Sequence, residues 1–218
     1  MGTNHCGLLA AILAAVSVSL TPLSTVAPKT EYAHYKVEGE TIEGLYRSML
    51  SRGPKVGGNQ AYASTKMDMA VATKTSPLAG RCRVDDIKLR LTFTIKLPEL
   101  DERARISQDI RQNFQRFYEF ARQHEETHRS IWLQCAAEAQ TLARRAMGDD
   151  CAGAEARALA IVDQVGKQCD ARHAAFDSGE QIKLLKHPFV GLALRMQEKP
   201  KNVVALPAGP PKTASPSH

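Results

Sequence analysis

The chain lacks three patterns that would each assign it to a class: a close C-x-x-C pair, a basic helix interleaved with aromatics, and an apolar run of the ~20 residues that span a bilayer. The first absence argues against a zinc site built from thiolates. The second argues against a nucleic-acid partner, although the net charge is +6. The third argues against a membrane-spanning helix. Hydrophobic content of 43% and charged content of 24% are ordinary for one compact globular domain.

The N-terminus has the pattern of an export signal. An apolar run opens at Leu8–Val16, and small residues follow at Ser24, Thr25 and Ala27. This order predicts a signal peptide over 1–27, cleaved after about Ala27, and export to the periplasm or beyond. An uncleaved anchor is the alternative, but the run is too short to cross a bilayer. We expect no membrane contact after cleavage. At the other end, 199–218 is rich in Pro, Ala and Ser and predicts a disordered tail.

Four cysteines remain once the signal is removed, namely Cys82, Cys135, Cys151 and Cys169. An even number in an exported chain predicts two disulfides, for which three pairings are possible. We favour Cys82 with Cys151 and Cys135 with Cys169.

The first part of the domain, 30–98, is mostly β in pattern. Strands are predicted at 33–37, 62–73 and 87–97, and a helix capped by Thr41 ends before Gly53–Pro54. The strand at 87–97 alternates strictly between apolar and polar residues, which is typical of an antiparallel or edge strand with one buried face. We therefore expect a small antiparallel sheet with one helix.

The second part, 99–180, predicts a helical hairpin. One long helix covers about 101–147 and a second covers about 152–176, with a break at 148–150. The short break makes the two helices antiparallel neighbours. The fold class is then α+β, with a single domain over 30–190.

His124, Glu125 and His128 form an H-E-x-x-H motif within the long helix. Residues four apart on a helix point the same way, so the two imidazoles can share one ion. Glu125 lies close enough to reach water on that ion without ligating it. This is the layout of a zinc hydrolase, and Zn²⁺ is the expected cofactor. The alternative is a helix with two hydrogen-bonded core histidines.

A catalytic zinc ordinarily has a third protein ligand. The hairpin brings the segment 173–180 opposite the motif, and this segment offers His173, Asp177 and Glu180. The residues alone leave these three candidates open.

The chain resembles a bacterial family described as predicted secreted zinc-dependent proteases, a domain of unknown function. The resemblance covers roughly 35–177. Its marks include the following segments: Tyr35–Gly39, Gly53–Pro54, Tyr62–Thr65, Cys82–Val84, Leu97–Pro98, His124–Arg129, Cys151 and Phe176–Asp177. It implies a zincin-like metal site on the hairpin, with Asp177 as the third ligand. Where the family carries Thr and then His-Gly after the aromatic-Asp pair, this chain has Ser178–Lys183. Glu180, His173 or the later His187 could replace that histidine.

These expectations converge on a bacterial zinc metalloprotease, secreted or periplasmic. Glu125 would take a proton from zinc-activated water, and the partner would be a peptide or protein substrate. The missing His-Gly supports an alternative, a catalytically inactive, metal-stabilised binding module of the cell envelope. The sequence makes no prediction of oligomeric state.

Overall fold

A computed structural model describes residues 28–198, which form six strands and four helices. The strands are β1 (Lys29–Val37), β2 (Lys55–Val56), β3 (Asn59–Gln60), β4 (Ser64–Leu78), β5 (Arg81–Leu100) and β6 (Met147–Gly148). The helices are α1 (Ile42–Arg52), α2 (Gln108–Ala143), α3 (Cys151–Lys186) and α4 (Pro188–Glu198). The predicted signal peptide, 1–27, and the predicted tail, 199–218, lie outside the described residues.

The main sheet is built around β5. On one side, β4 pairs with it antiparallel through a tight turn at Ala79–Gly80, where both residues have positive φ. On the other side, β1 runs parallel to β5, with Lys29 opposite Thr92, and the short β6 pairs further back along the strand. The strand β4 has no partner on its outer side within the described residues.

The sheet is therefore mixed, and the prediction of a wholly antiparallel sheet is wrong for β1. The chain passes through α1, the β2–β3 hairpin and β4 before it reaches β5, so β1 and β5 can run in the same direction. Of the two alternatives for 87–97, an antiparallel strand is confirmed by its pairing with β4, and an edge strand is wrong because β1 and β4 flank it. Alternation reports which face of a strand is buried, and it carries no information about how many strands flank it.

One face of β5 forms the base of the core. Ile87, Phe93, Ile95 and Leu97 are fully buried and pack toward the helices. Each such side chain contributes about 1.5–3 kcal/mol relative to an exposed one. The burial of these side chains fixes α2 against the sheet. It therefore determines which face of α2 points away from the strands.

The hairpin of α2 and α3 has well-defined ends. Ser107 caps α2, and the Asp150 side chain accepts a hydrogen bond from the first turn of α3 at 2.7 Å. Gly148 permits the tight reversal between them, because a Cβ there would lie 2.2 Å from the Ala154 nitrogen. The helices are antiparallel neighbours, as predicted, but α2 is shorter than predicted and α3 ends ten residues later, at Lys186.

Two disulfides tie these parts together. Cys135 pairs with Cys169 across the hairpin, and Cys82 of β5 pairs with Cys151 at the start of α3. The favoured pairing is the one that the structure contains. None of the helices in residues 28–198 combines the length and the apolar character needed to cross a membrane. The two disulfides are compatible with export.

Helical structure continues beyond the predicted end at 180. Within α4, Phe189, Val190 and Ala193 are buried against α1 and the first half of α2. The Phe189 ring meets Phe114 edge-on, with ring centroids 5.9 Å apart. Because α4 is short and begins with a proline, its apolar residues do not by themselves indicate in the sequence that this segment is a helix of the folded domain.

Candidate metal centre

The middle of α2 brings two imidazoles together. His124 and His128 are one helical turn apart, and their Nε2 atoms are 3.0 Å from each other. Their side chains are 22% and 15% exposed, so both rings are mostly shielded but still reachable. The H-E-x-x-H spacing therefore produces the shared face that the sequence predicts.

Asp177 on α3 completes a triangle of donor atoms. Its Oδ1 lies 3.2 Å from His124 Nε2 and 2.9 Å from His128 Nε2. A tetrahedral zinc with bonds of about 2.0–2.2 Å holds its ligands about 3.3–3.6 Å apart. The three sides of the triangle are within a few tenths of an ångström of that range. Among residues 28–198 these three side chains are the one group of His, Cys, Asp or Glu close enough to hold an ion.

His173 lies directly behind His128 rather than beside the triangle. The two Nδ1 atoms are 2.8 Å apart, and the indole of Trp132 packs over the His173 ring at 4.7 Å between centroids. If His128 ligates through Nε2, its Nδ1 carries the proton and donates to His173. This bond would fix the tautomer and the ring orientation that ligation requires.

The other two candidates for the third ligand are engaged elsewhere. The Glu180 carboxylate forms an ion pair with Lys183 at 2.6 Å. The His187 Nδ1 accepts a hydrogen bond from the Phe189 amide at the start of α4, and its ring packs against Phe120. The structure therefore brings Asp177, and not Glu180 or His187, to the two imidazoles.

Glu125 lines the cleft around these donor atoms and is only 5% exposed. Thr65 of β4 donates a hydrogen bond to its Oε2 at 2.8 Å. Burial raises the pKa of Glu125 to about 7; the Thr65 hydrogen bond opposes the rise, and the charge of Asp177 adds to it. A carboxylate with a pKa near neutrality is suited to exchange protons with water.

Burial also lowers the pKa of both imidazoles, against the opposing charge of Asp177. The pKa of His173 is lowered for the same reason, with a further contribution from His128. All three rings are thus biased toward the neutral form, which is the form that ligates metals.

The centre is open on two sides. Asp177 is 54% exposed at its side chain. One cavity, of about 370 Å³, extends toward Phe120, and another, of about 540 Å³, extends toward Trp132. Both are lined by His124, Glu125 and Asp177. The centre can therefore be reached from either cavity.

Thr65 and the contact between His128 and His173 are features that the motif alone does not reveal. The segment Tyr62–Thr65 carries part of the family resemblance, and this is the one feature of the sequence that could have pointed to Thr65. The hydrogen bond of His173 depends on the register of α3 against α2. That register follows from the Cys135–Cys169 pairing, which the sequence leaves as one of three.

Comparison with known proteins gives one match. No curated protein and no solved structure matches the chain. The model of one protein family, described as a bacterial protein of unknown function (DUF922), matches residues 32–183. This span includes the H-E-x-x-H motif, Asp177 and both disulfides. The chain therefore belongs to this bacterial family of unknown function, DUF922.

Proposed function

We propose that this protein is a zinc-dependent peptidase of the bacterial cell envelope or exterior. His124, His128 and Asp177 would hold the ion, and Glu125 would be the general base. The observation that carries the proposal is the triangle of donor atoms with sides of 2.9–3.2 Å, set beside a buried carboxylate. Two neutral imidazoles and one carboxylate are a donor set that suits zinc.

Zinc would supply Lewis-acid chemistry, polarising a carbonyl and making water more acidic. Glu125 would accept a proton from the attacking water and pass it to the leaving amine. Thr65 would hold the Glu125 carboxylate in place through its hydrogen bond. Asp177 would act only as a ligand, since its Oδ1 is directed at both imidazoles.

An extended peptide could reach the centre along β4. This strand begins at Ser64 and Thr65, which line the cavity beside His128, and its outer edge is unpaired within the described residues. Peptides commonly add to such an edge through main-chain hydrogen bonds. The strand β5 cannot take this role there, because β4 and β1 flank it.

A metal-stabilised binding module of the cell envelope is the second candidate. It is favoured by Ser178–Lys183, which lacks the Thr and His-Gly that the family resemblance leads one to expect there. Such a module would need the ion and the two disulfides for stability, but not Glu125. The two candidates therefore differ in what they require of a single side chain.

The test measures zinc content and peptide cleavage together. Wild type should contain one zinc per chain, and His128→Ala should lose it. Glu125→Gln should keep zinc and lose cleavage of a peptide library by at least about 10²-fold. Glu126→Gln is the matched control, because Glu126 is hydrogen-bonded to Tyr32 outside the cleft. Zinc without cleavage in the wild type would support the binding module, and absence of zinc would overturn both candidates.

A further inference from the structure

We propose that the cavity beside Phe120, called here the apolar cavity, selects a large apolar side chain next to the peptide bond that is hydrolysed. This inference rests on the proposed peptidase function and adds a substrate class to it. The apolar cavity has a volume of about 370 Å³ and opens beside His124, Glu125 and Asp177. This volume lies within the range of about 300–1,000 Å³ that is usual for small-ligand sites.

The wall of the apolar cavity is aromatic and aliphatic. It is formed by Tyr62 on one side, by Phe117 and Phe120 of α2, and by Leu184 near the end of α3. Leu184 is half-buried against the core. A side chain that enters such a space loses contact with water and gains dispersion contacts, so larger apolar groups bind more strongly.

The aromatic wall is held rigidly before any ligand arrives. The Tyr62 hydroxyl is hydrogen-bonded to the Tyr46 hydroxyl at 2.7 Å, and its carbonyl oxygen accepts from Tyr35 at 2.7 Å. Its ring meets the fully buried Phe117 edge-on at 5.5 Å between centroids. A preformed wall loses little conformational entropy on binding, which favours selectivity by shape.

The charges at the rim strengthen the preference. Asp177 and Glu180 line the mouth of the apolar cavity, and Glu180 is already paired with Lys183. An acidic side chain would lose water there without gaining a cationic partner, because Lys183 is already paired with Glu180. The opposite cavity lacks phenylalanine and tyrosine rings and is lined instead by Val56, Trp132, Asp170 and His173, among others. A peptide that crosses the centre would therefore meet a wall of phenylalanine and tyrosine rings on one side only.

Binding can be measured without cleavage in the zinc-loaded Glu125→Gln protein. The probes are acetyl-Gly-Gly-X-Gly-Gly-amides in which X is phenylalanine, leucine, alanine or glutamate. Isothermal titration should give affinities for the phenylalanine and leucine peptides at least about tenfold above alanine, with glutamate weakest. Equal affinities for phenylalanine and alanine would overturn the proposal. Trp132, the single tryptophan of the chain, lies in the other cavity, so its fluorescence also reports whether that side is occupied.

A variant pair locates the selectivity. Leu184→Trp narrows the apolar cavity and should abolish the preference for phenylalanine over alanine, while zinc content stays unchanged. Leu185→Trp is the control, because Leu185 is the next residue, is 53% exposed and does not line the cavity. A preference that survives Leu184→Trp would place the selective site elsewhere and overturn the proposal.

The outcomes separate this inference from the proposed function. A zinc-loaded wild type that cleaves peptides without regard to neighbouring apolar residues would sink the inference and leave the peptidase intact. A protein that prefers the phenylalanine peptide but cleaves nothing would keep the selective cavity and remove the peptidase. A chain that contains no zinc would remove the function on which the inference rests.

Discussion

The Nδ1 atoms of His128 and His173 lie 2.8 Å apart, although 45 residues separate the two histidines in sequence. The contact joins α2 to α3 directly behind the triangle of donor atoms. With His128 as the donor, the contact would fix the proton on its Nδ1, while its Nε2 faces Asp177 Oδ1 at 2.9 Å.

Loss of this contact should weaken metal binding without removing any ligand. We expect His173→Ala to lower zinc affinity by about 10–100-fold, the usual effect of losing a hydrogen-bond partner behind a ligand. His173→Asn should restore part of the affinity, because its amide oxygen can accept the same hydrogen bond. His34→Ala is the control, since His34 stacks on Tyr118 outside the cleft. Competition with a chromogenic chelator measures the affinity, and a wild-type affinity in His173→Ala would refute the positioning role.

The Cys135–Cys169 bridge should control the metal centre through the register of the hairpin. Cys135 lies about two helical turns after His128, and Cys169 about two turns before Asp177. We expect the double variant Cys135→Ser, Cys169→Ser to bind zinc more weakly. The double variant Cys82→Ser, Cys151→Ser should lose stability by a similar amount, about 2–5 kcal/mol, but keep more of its zinc affinity. Equal effects of the two pairs on zinc affinity would contradict this account.

Thr65 should matter for catalysis and not for zinc. Thr65→Val removes the hydroxyl that holds Glu125 but keeps nearly the same shape, so we expect peptide cleavage to fall several-fold at unchanged zinc content. Thr65→Ser keeps the hydroxyl and should retain most of the activity. Steady-state cleavage together with metal analysis distinguishes these effects. Equal activities in the valine and serine variants would show that this hydrogen bond does not position the base.

The helix α4 should be part of the folded domain. Phe189 is fully buried, and we expect Phe189→Ala to lower the free energy of unfolding by about 3–5 kcal/mol. Met196→Ala, at a residue that is 40% exposed, should change it by less than about 1 kcal/mol. Urea unfolding followed by circular dichroism measures both. Similar small losses in the two variants would mean that α4 is dispensable for the core.

The parts that sequence reasoning anticipated are those in which a periodic pattern has a single structural solution. The alternation in 87–97 and the apolar stripe of α2 each fix one buried face, and the spacing of His124 and His128 fixes a shared one. Thr41 and Gly53 bound α1 where expected. These features depend on residues close together in the chain.

The features that the sequence did not predict depend on contacts between distant segments of the chain. The parallel pairing of β1 with β5 and the central position of β5 follow from chain topology, which alternation does not encode. The packing of Phe189 into the core needs a surface formed by α1 and α2. The position of Asp177 beside the imidazoles depends on the register of α3 against α2. Because the sequence does not determine this register, it left His173 and Glu180 as alternatives for the third ligand.

The two disulfides anchor α3 at its first residue and at its middle, and they leave its C-terminal half without a covalent link. A zinc ion held by Asp177 would act there as a third anchor, and its affinity would add directly to the stability of that end. Chelation should therefore loosen α3 from its C-terminal end, together with α4, while the disulfide-linked half stays closed. The expected result is faster amide hydrogen exchange on removal of the metal, confined to residues 178–198.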